Sequence, residues 1–114
     1  MFNGKDIKIM LIKRNLTQGD LAKKFGVSKQ MISSLLNNTS SSLRLEEKLE
    51  DWYNDQKVII SIINDVESYI ARFGKMPDVL LVTQREKDIL KRNPSVKVNF
   101  NGEKYNLPLT RVTR

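Results

Sequence analysis

The segment "LTQGDLAKKFGVSKQMISSLLNN", residues 16–38, decides the fold of the first half of the chain. Thr17 is typical of a helix N-cap, and Gly26 is typical of the left-handed residue that ends a helix. Apolar residues recur at helical spacing on both sides of the glycine: Leu21, Ala22 and Phe25 before it, and Ile32, Leu35 and Leu36 after it. The segment predicts two short helices joined by a tight turn, the second being "KQMISSLLNN" behind the cap Ser28.

Two further helices are predicted around this segment. In residues 5–14 the apolar side chains of Ile7, Met10 and Leu11 fall on one face, and Asn15 can end that helix. Residues 43–54 carry a second apolar face, made of Leu45, Leu49, Trp52 and Tyr53. The first 55 residues are therefore expected to form a small helical bundle.

The second half of the chain mixes helix and strand signals. A helix is predicted over residues 57–73, with a strand as the alternative at its β-branched start "VII". A short buried strand is predicted at "DVLLV", and a helix over residues 84–92 behind the capping pair Thr83 and Glu86. Asn101-Gly102 between two alternating segments predicts a β-hairpin. Pro108 is expected either to limit the second strand to a sheet edge or to break it before "LTRV". The predicted class is α+β, with a helix-turn-helix bundle followed by an α-β-α-β-β region.

The composition restricts the possible functions. The 114 residues include 20 Lys and Arg against 13 Asp and Glu, a net charge of +7, and neither Cys nor His. This excludes disulfides, thiol nucleophiles, Cys/His metal sites and histidine bases. The charged start does not fit a signal peptide, and no apolar run is long enough for a membrane span, so we expect a cytoplasmic protein. A basic excess of this size usually serves a nucleic-acid partner, and a surface that is basic only for solubility is the alternative.

The charge is unevenly distributed along the chain. Residues 1–44 hold eight basic and two acidic side chains, a net charge of +6, whereas residues 46–55 hold one basic and five acidic side chains, a net charge of −4. On a surface whose charges serve only solubility, positive and negative side chains would be mixed along the sequence. Residues 56–114 are again basic. Lys97, Lys104, Arg111 and Arg114, in or after the hairpin, are compatible with DNA contact, a dimer interface or protection of an edge strand.

The exposed side of the third helix carries small or flexible hydrogen-bonding side chains. A helix that enters the DNA major groove needs such side chains near its N-terminus, because acidic residues there would be repelled by phosphate. The candidates for base reading are Lys29, Gln30, Ser33 and Ser34. Lysine favours guanine, glutamine can pair with adenine, and serine can form a hydrogen bond to any of several bases.

Residues 16–38 resemble the lambdoid Cro and repressor proteins, the Xre-type helix-turn-helix family, through the Thr-Gln, Leu-Ala, Gly-Val and Ile-Ser pairs at their expected offsets. The resemblance covers about half of the chain, and the docking geometry known for that family places the third helix in the major groove. Gly19 and Asn38 depart from the pattern, since glycine weakens the second helix and asparagine replaces the usual glycine after the third. The resemblance implies that Gln18 contacts phosphate at the start of the second helix and that Asn37 does so after the third.

The remaining phosphate candidates are hydroxyl, amide and guanidinium groups beside the two helices. With the two residues just named, the full set is Thr17, Gln18, Ser28, Asn37, Asn38, Ser40 and Arg44. Side chains of these types commonly bind phosphate oxygens and fix the register of a protein on the duplex. A plain loop at "TSSSLR" is the alternative for the last two.

These features favour a sequence-specific DNA-binding regulator, repressor-like and of phage, plasmid or mobile-element type, that binds a two-fold symmetric operator as a homodimer. The expected domains are residues 1–55 for binding double-stranded DNA and residues 56–114 for dimerisation or a protein partner. The alternative is a phage anti-CRISPR or other inhibitor protein whose head regulates its own promoter and whose second half binds a protein target. No enzyme activity, cofactor, metal or membrane association is expected.

Overall fold

The computed structural model describes residues 2–113, and Arg114 therefore lies outside the described residues. Five helices and four strands follow one another in this part of the chain: α1 Gly4–Lys13, α2 Gln18–Phe25, α3 Lys29–Leu36, α4 Leu43–Phe73, β1 Val79–Val82, α5 Gln84–Arg92, β2 Lys97–Phe100, β3 Glu103–Asn106 and β4 Leu109–Val112. The predicted α+β class is confirmed. The chain divides into two compact units, one ending at Gln56 and the other beginning at Lys57. That residues 1–55 and 56–114 act as separate domains stays a prediction.

The short helices begin where polar side chains satisfy their first amide groups. Thr17 Oγ1 accepts a hydrogen bond from the Asp20 amide at 3.1 Å, and the Thr17 amide donates to the Asp20 carboxylate at 2.8 Å. The same reciprocal capping box joins Thr83 and Glu86 at the start of α5. Ser28 Oγ accepts from the Met31 amide at 3.1 Å and caps α3. The N-caps predicted for these three helices are thus confirmed.

The first unit encloses an apolar core contributed by all its helices. Its buried side chains are Ile7, Met10, Leu11, Leu21, Ala22, Ile32, Leu35, Leu36, Leu45, Leu49 and Trp52. Gly4 is also buried, and its backbone lies against the backbone of Leu36, the last residue of α3. This contact fixes the start of α1 against the end of α3.

Two predicted helix boundaries are wrong. The helices predicted over residues 43–54 and 57–73 are one continuous helix of 31 residues, α4. No Gly or Pro stands between them, and Gln56 is only 1% exposed and accepts a hydrogen bond from Arg14 Nε at 2.7 Å. Helix α3 ends at Leu36 instead of reaching Asn38, because Asn38 adopts a left-handed backbone with φ +60°.

The second unit contains two separate two-stranded sheets. β2 and β3 form the predicted antiparallel hairpin, in which Asn101 and Gly102 both have positive φ, as a tight two-residue hairpin turn requires. β2 is also tied to α4, because the Asn99 amide donates to Glu67 Oε2 at 2.9 Å. A core cluster of Ile59, Ile89 and Val96 is buried here.

The other sheet departs from the prediction. β1 pairs in parallel with β4, a strand that the sequence did not predict after Pro108. The strand "DVLLV" was expected to be buried, but Val79 and Leu81 are exposed and only Val82 is fully buried. Strand alternation explains the difference, since one face of the sheet is packed and the other is open.

Candidate nucleic-acid interface

The turn between α2 and α3 is held by backbone geometry on both sides. Gly26 ends α2 with φ +66°, and the Val27 amide donates to the Ala22 carbonyl at 3.0 Å. A left-handed residue followed by this bond closes the last turn of a helix and redirects the chain. Because Ser28 then caps α3, the relative placement of the two helices follows from three consecutive residues.

The four candidate base-reading side chains lie on one side of α3. Lys29 and Gln30 are exposed, and Ser33 and Ser34 are half-buried. Residues three and four apart are neighbours on a helix surface, so the pairs 29/33, 30/33 and 30/34 form one continuous patch. The opposite side of α3 is committed to the core through Ile32, Leu35 and Leu36.

Met31 is exposed on α3 next to these residues and was missed in the sequence analysis. Met31 lies four residues before Leu35 and so at the edge of the apolar stripe, and the sequence pattern alone therefore did not show that it is exposed. In the DNA major groove, an apolar side chain can contact the methyl group of thymine.

A hydrogen-bonded chain links the candidate patch to α1. Asn37 Nδ2 donates to Ser33 Oγ at 3.4 Å, and Lys8 Nζ donates to Asn37 Oδ1. The lysine also brings a positive charge to the C-terminal end of α3, where the helix dipole favours it. Lys8 is a candidate site residue that sequence reasoning missed, because nothing in the local pattern of α1 indicates a partner 29 residues away.

The predicted phosphate-contacting residues are all at least partly accessible. Gln18 is half-buried, and the others are exposed: Thr17, Ser28, Asn37, Asn38, Ser40 and Arg44. Thr17 and Ser28 accept hydrogen bonds as caps, but a hydroxyl that accepts still has its proton to donate. The structure places Thr17 and Gln18 together at the start of α2, Ser28 at the start of α3, and the other four residues between the end of α3 and the first turn of α4.

Two charged groups in this unit have shifted pKa values. The backbone amide and the hydroxyl of Thr17, followed by the charge of Lys23, hold the pKa of Asp20 below its ordinary value. Burial lowers the pKa of Arg14, whose side chain bonds Gln56. Arg14 therefore serves the packing of α1 against α4, although it contributes to the positive charge counted along the sequence.

A polar pocket of about 270 Å³ lies between α1 and the part of α4 in the first unit. Its lining residues are Asn3, Asp6, Ile7, Glu50, Tyr53 and Asn54. In residues 2–113 no group of three or more His, Cys, Asp or Glu side chains is placed to hold a metal. Nor does any helix in that range have the length and apolar character needed to cross a membrane.

Residues 7–49 match the model of the helix-turn-helix family. The match covers most of α1, all of α2 and α3, and the beginning of α4, and it supports a helix-turn-helix DNA-binding domain of the Xre/Cro-like type in the N-terminal half. No curated protein and no solved structure matches the chain. The match therefore supports a DNA-binding regulator of this type.

Proposed function

We propose that the chain is a sequence-specific transcriptional regulator, repressor-like and of phage, plasmid or mobile-element origin, that binds a two-fold symmetric operator as a homodimer. The observation that carries the proposal is the geometry of α3. Its inner side is fully committed to the core, while its outer side presents Lys29, Gln30, Ser33 and Ser34 without an acidic residue among them.

Sequence would be read from the N-terminal part of α3. Gln30 can form paired hydrogen bonds to adenine, Lys29 can donate to guanine, and the two serine hydroxyls adapt to either donors or acceptors. Ser33 is held by Asn37, and Asn37 is held by Lys8. This support limits the freedom of Ser33 before DNA arrives, which lowers the entropy lost on binding.

Phosphate contacts would fix the position of α3 in the groove. The first amide groups of a helix have no partner within that helix, so the start of α2 at Gln18 is suited to a phosphate oxygen. Asn37, Asn38, Ser40 and Arg44 would contact the backbone beyond the other end of α3. With Lys8 added, these groups form two anchor points, one before and one after the base-reading helix.

Regulation would follow from occupancy alone. A protein that covers an operator excludes polymerase without chemical turnover, and it acts in the cytoplasm, where the DNA is. A single head of this size contacts only a few base pairs, so tight and selective binding requires two heads on a symmetric site. The half-sites would lie about one helical turn apart on the same side of the duplex.

The proposal is tested by measuring duplex DNA affinity at several salt concentrations. If each of two heads contacts about three phosphates, affinity should fall about 1,000-fold between 50 and 200 mM salt, because counterions are released on binding. Arg44→Ala should reduce the slope of log affinity against log salt concentration by about one for each head. Lys91→Ala is the matched control, since it removes an exposed positive charge from α5, which carries none of the proposed interface residues. Absence of binding at low salt, or equal effects of the two variants, would contradict the proposal.

A further inference from the structure

Helix α3 carries one large apolar side chain on its accessible surface. Within α3, which the structure describes in full, Ile32, Leu35 and Leu36 are at most 2% exposed, whereas Met31 is 46% exposed. A single exposed apolar residue is ordinary on most protein surfaces. The other accessible side chains of α3 are a lysine, a glutamine and two serines, all of which donate hydrogen bonds. Met31 is the one accessible side chain of this helix that cannot.

Met31 lies in the first turn of α3. Its backbone amide donates to Ser28 Oγ at 3.1 Å, and this bond fixes its position at the start of the helix. Ser34 follows three residues later, so the side chains of Met31 and Ser34 are neighbours on the helix surface. In helix-turn-helix docking, side chains near the N-terminus of the second helix contact the base edges. Met31 therefore adjoins the candidate base-reading residues at the end of α3 that would enter the groove.

We propose that Met31 is a specificity-determining residue that contacts the methyl group of a thymine. This inference rests on the proposed function, because it requires α3 to lie in the major groove. Among the four unmodified bases of DNA, only thymine presents an apolar group there, its C5 methyl. Contact with Met31 would remove that methyl group and the exposed part of the thioether side chain from water.

The same contact would disfavour the other bases. Against cytosine, Met31 would cover the N4 amino donor, and against guanine it would cover the O6 and N7 acceptors. It could offer these groups no strong hydrogen bond in return, and a polar group that loses water without a partner is costly. Three rotatable bonds and a polarizable sulfur let a methionine adapt its shape to the methyl group.

Met31 and Lys29 would contact different bases. Two residues apart on a helix, their side chains point about 200° apart around the axis, with Gln30 between them. Lys29, on one edge of the accessible side of α3, is suited to guanine, whereas Met31 lies on the other edge beside Ser34. The thymine contacted by Met31 should therefore lie close to the base pair contacted by Gln30 and apart from the one contacted by Lys29.

Removal of single methyl groups from the DNA tests the inference. The probe is a duplex that contains the site selected by the wild type from a random pool, with each thymine replaced in turn by deoxyuridine. Deoxyuridine keeps the hydrogen-bonding groups of thymidine and lacks only the methyl group. Replacement of the contacted thymine should weaken wild-type binding about fourfold for each half-site, the factor expected for one buried methyl group. Met31→Ser should bind the thymine and deoxyuridine duplexes equally well.

Two further variants serve as controls. Met31→Leu keeps an apolar side chain and should retain the wild-type sensitivity to deoxyuridine. Leu109→Ser should retain it as well, since Leu109 is 78% exposed on β4, which carries none of the proposed interface residues. All three substitutions are at exposed positions, so the urea midpoints of unfolding should stay close to that of the wild type.

The outcomes separate this inference from the proposed function. If the wild type binds the selected duplex but is indifferent to every deoxyuridine, the inference alone is overturned. The same holds if Met31→Ser keeps the wild-type sensitivity, because another residue would then contact the methyl group. A wild type that binds no duplex DNA at low salt would contradict the proposed function itself.

Discussion

Replacing Gly4 with alanine should destabilise the protein, although alanine is normally the better helix residue. A Cβ at position 4 would collide with the Leu36 carbonyl oxygen and would lie 2.8 Å from both the carbonyl carbon and the Cα of Leu36. Since ordinary contacts begin at 3.4 Å, the start of α1 and the end of α3 must separate by at least 0.6 Å. Both groups are backbone, so no side chain can simply rotate away.

The expected size of this effect follows from two opposing terms. Overpacking costs about 1–3 kcal/mol, and the helix preference of alanine over glycine returns at most about 1 kcal/mol, so we expect a net loss of about 1–2 kcal/mol. In urea this lowers the unfolding midpoint by about 0.5–1 M. Gly19→Ala is the matched control, because a Cβ there meets only Thr17 Oγ1 at 3.5 Å. That variant should be more stable than the wild type by about 0.5–1 kcal/mol. If Gly4→Ala were as stable as Gly19→Ala, the close contact between α1 and α3 would be refuted.

Three further predictions concern the polar contacts of the first unit. Gln56→Leu removes the oxygen that accepts the Arg14 hydrogen bond and should lower the free energy of unfolding, measured in urea, by about 1–2 kcal/mol. The double variant Arg14→Leu/Gln56→Leu should recover part of that loss. If the effects of the two single variants on the free energy of unfolding simply added, the two side chains would not be coupled. Lys8→Met should weaken DNA binding, because Asn37 loses its hydrogen bond to Lys8, while the urea midpoint of unfolding stays nearly unchanged. Lys5→Met is the control. Equal DNA affinity of the two variants would argue against Lys8 as an interface residue. Asp20 has a lowered pKa, so its carboxylate stabilises the fold above its ordinary pKa of 3.8, and this contribution is lost as the pH falls further through the lowered value. The stability difference between wild type and Asp20→Asn should therefore be present at pH 6 and shrink below pH 3.8, and a pH-independent difference would contradict the capping role.

The sequence predicted those features that depend on neighbouring residues. Capping by Thr17 and Thr83 and the tight turn at Asn101-Gly102 each rest on side chains or φ angles within four residues, and all three are confirmed. The Gly26 turn and the apolar stripes are equally local, which is why the helix-turn-helix could be recognised from residues 16–38.

The features that sequence reasoning missed depend on contacts between distant segments. The parallel pairing of Val79–Val82 with Leu109–Val112 leaves no local signal, because each strand needs a partner some thirty residues away. The bond from Lys8 to Asn37 and the contact of Gly4 with Leu36 are invisible for the same reason. The continuity of α4 was missed because the apolar patterns of residues 43–54 and 57–73 were interpreted as two separate helices, although no helix-breaking residue stands between them.

The most direct test of the central claim, that α3 reads DNA sequence from the major groove, is selection of binding sites from a random duplex pool. The wild type should select a two-fold symmetric site with half-sites about one helical turn apart. Gln30→Ala should bind the best site about 1–3 kcal/mol more weakly and lose preference at one or two base pairs of each half-site. Lys24→Ala, which removes an exposed cation from α2, should select the same site as the wild type, whatever its affinity. An asymmetric site, or an unchanged sequence preference for Gln30→Ala, would show that α3 is not the helix that reads the bases.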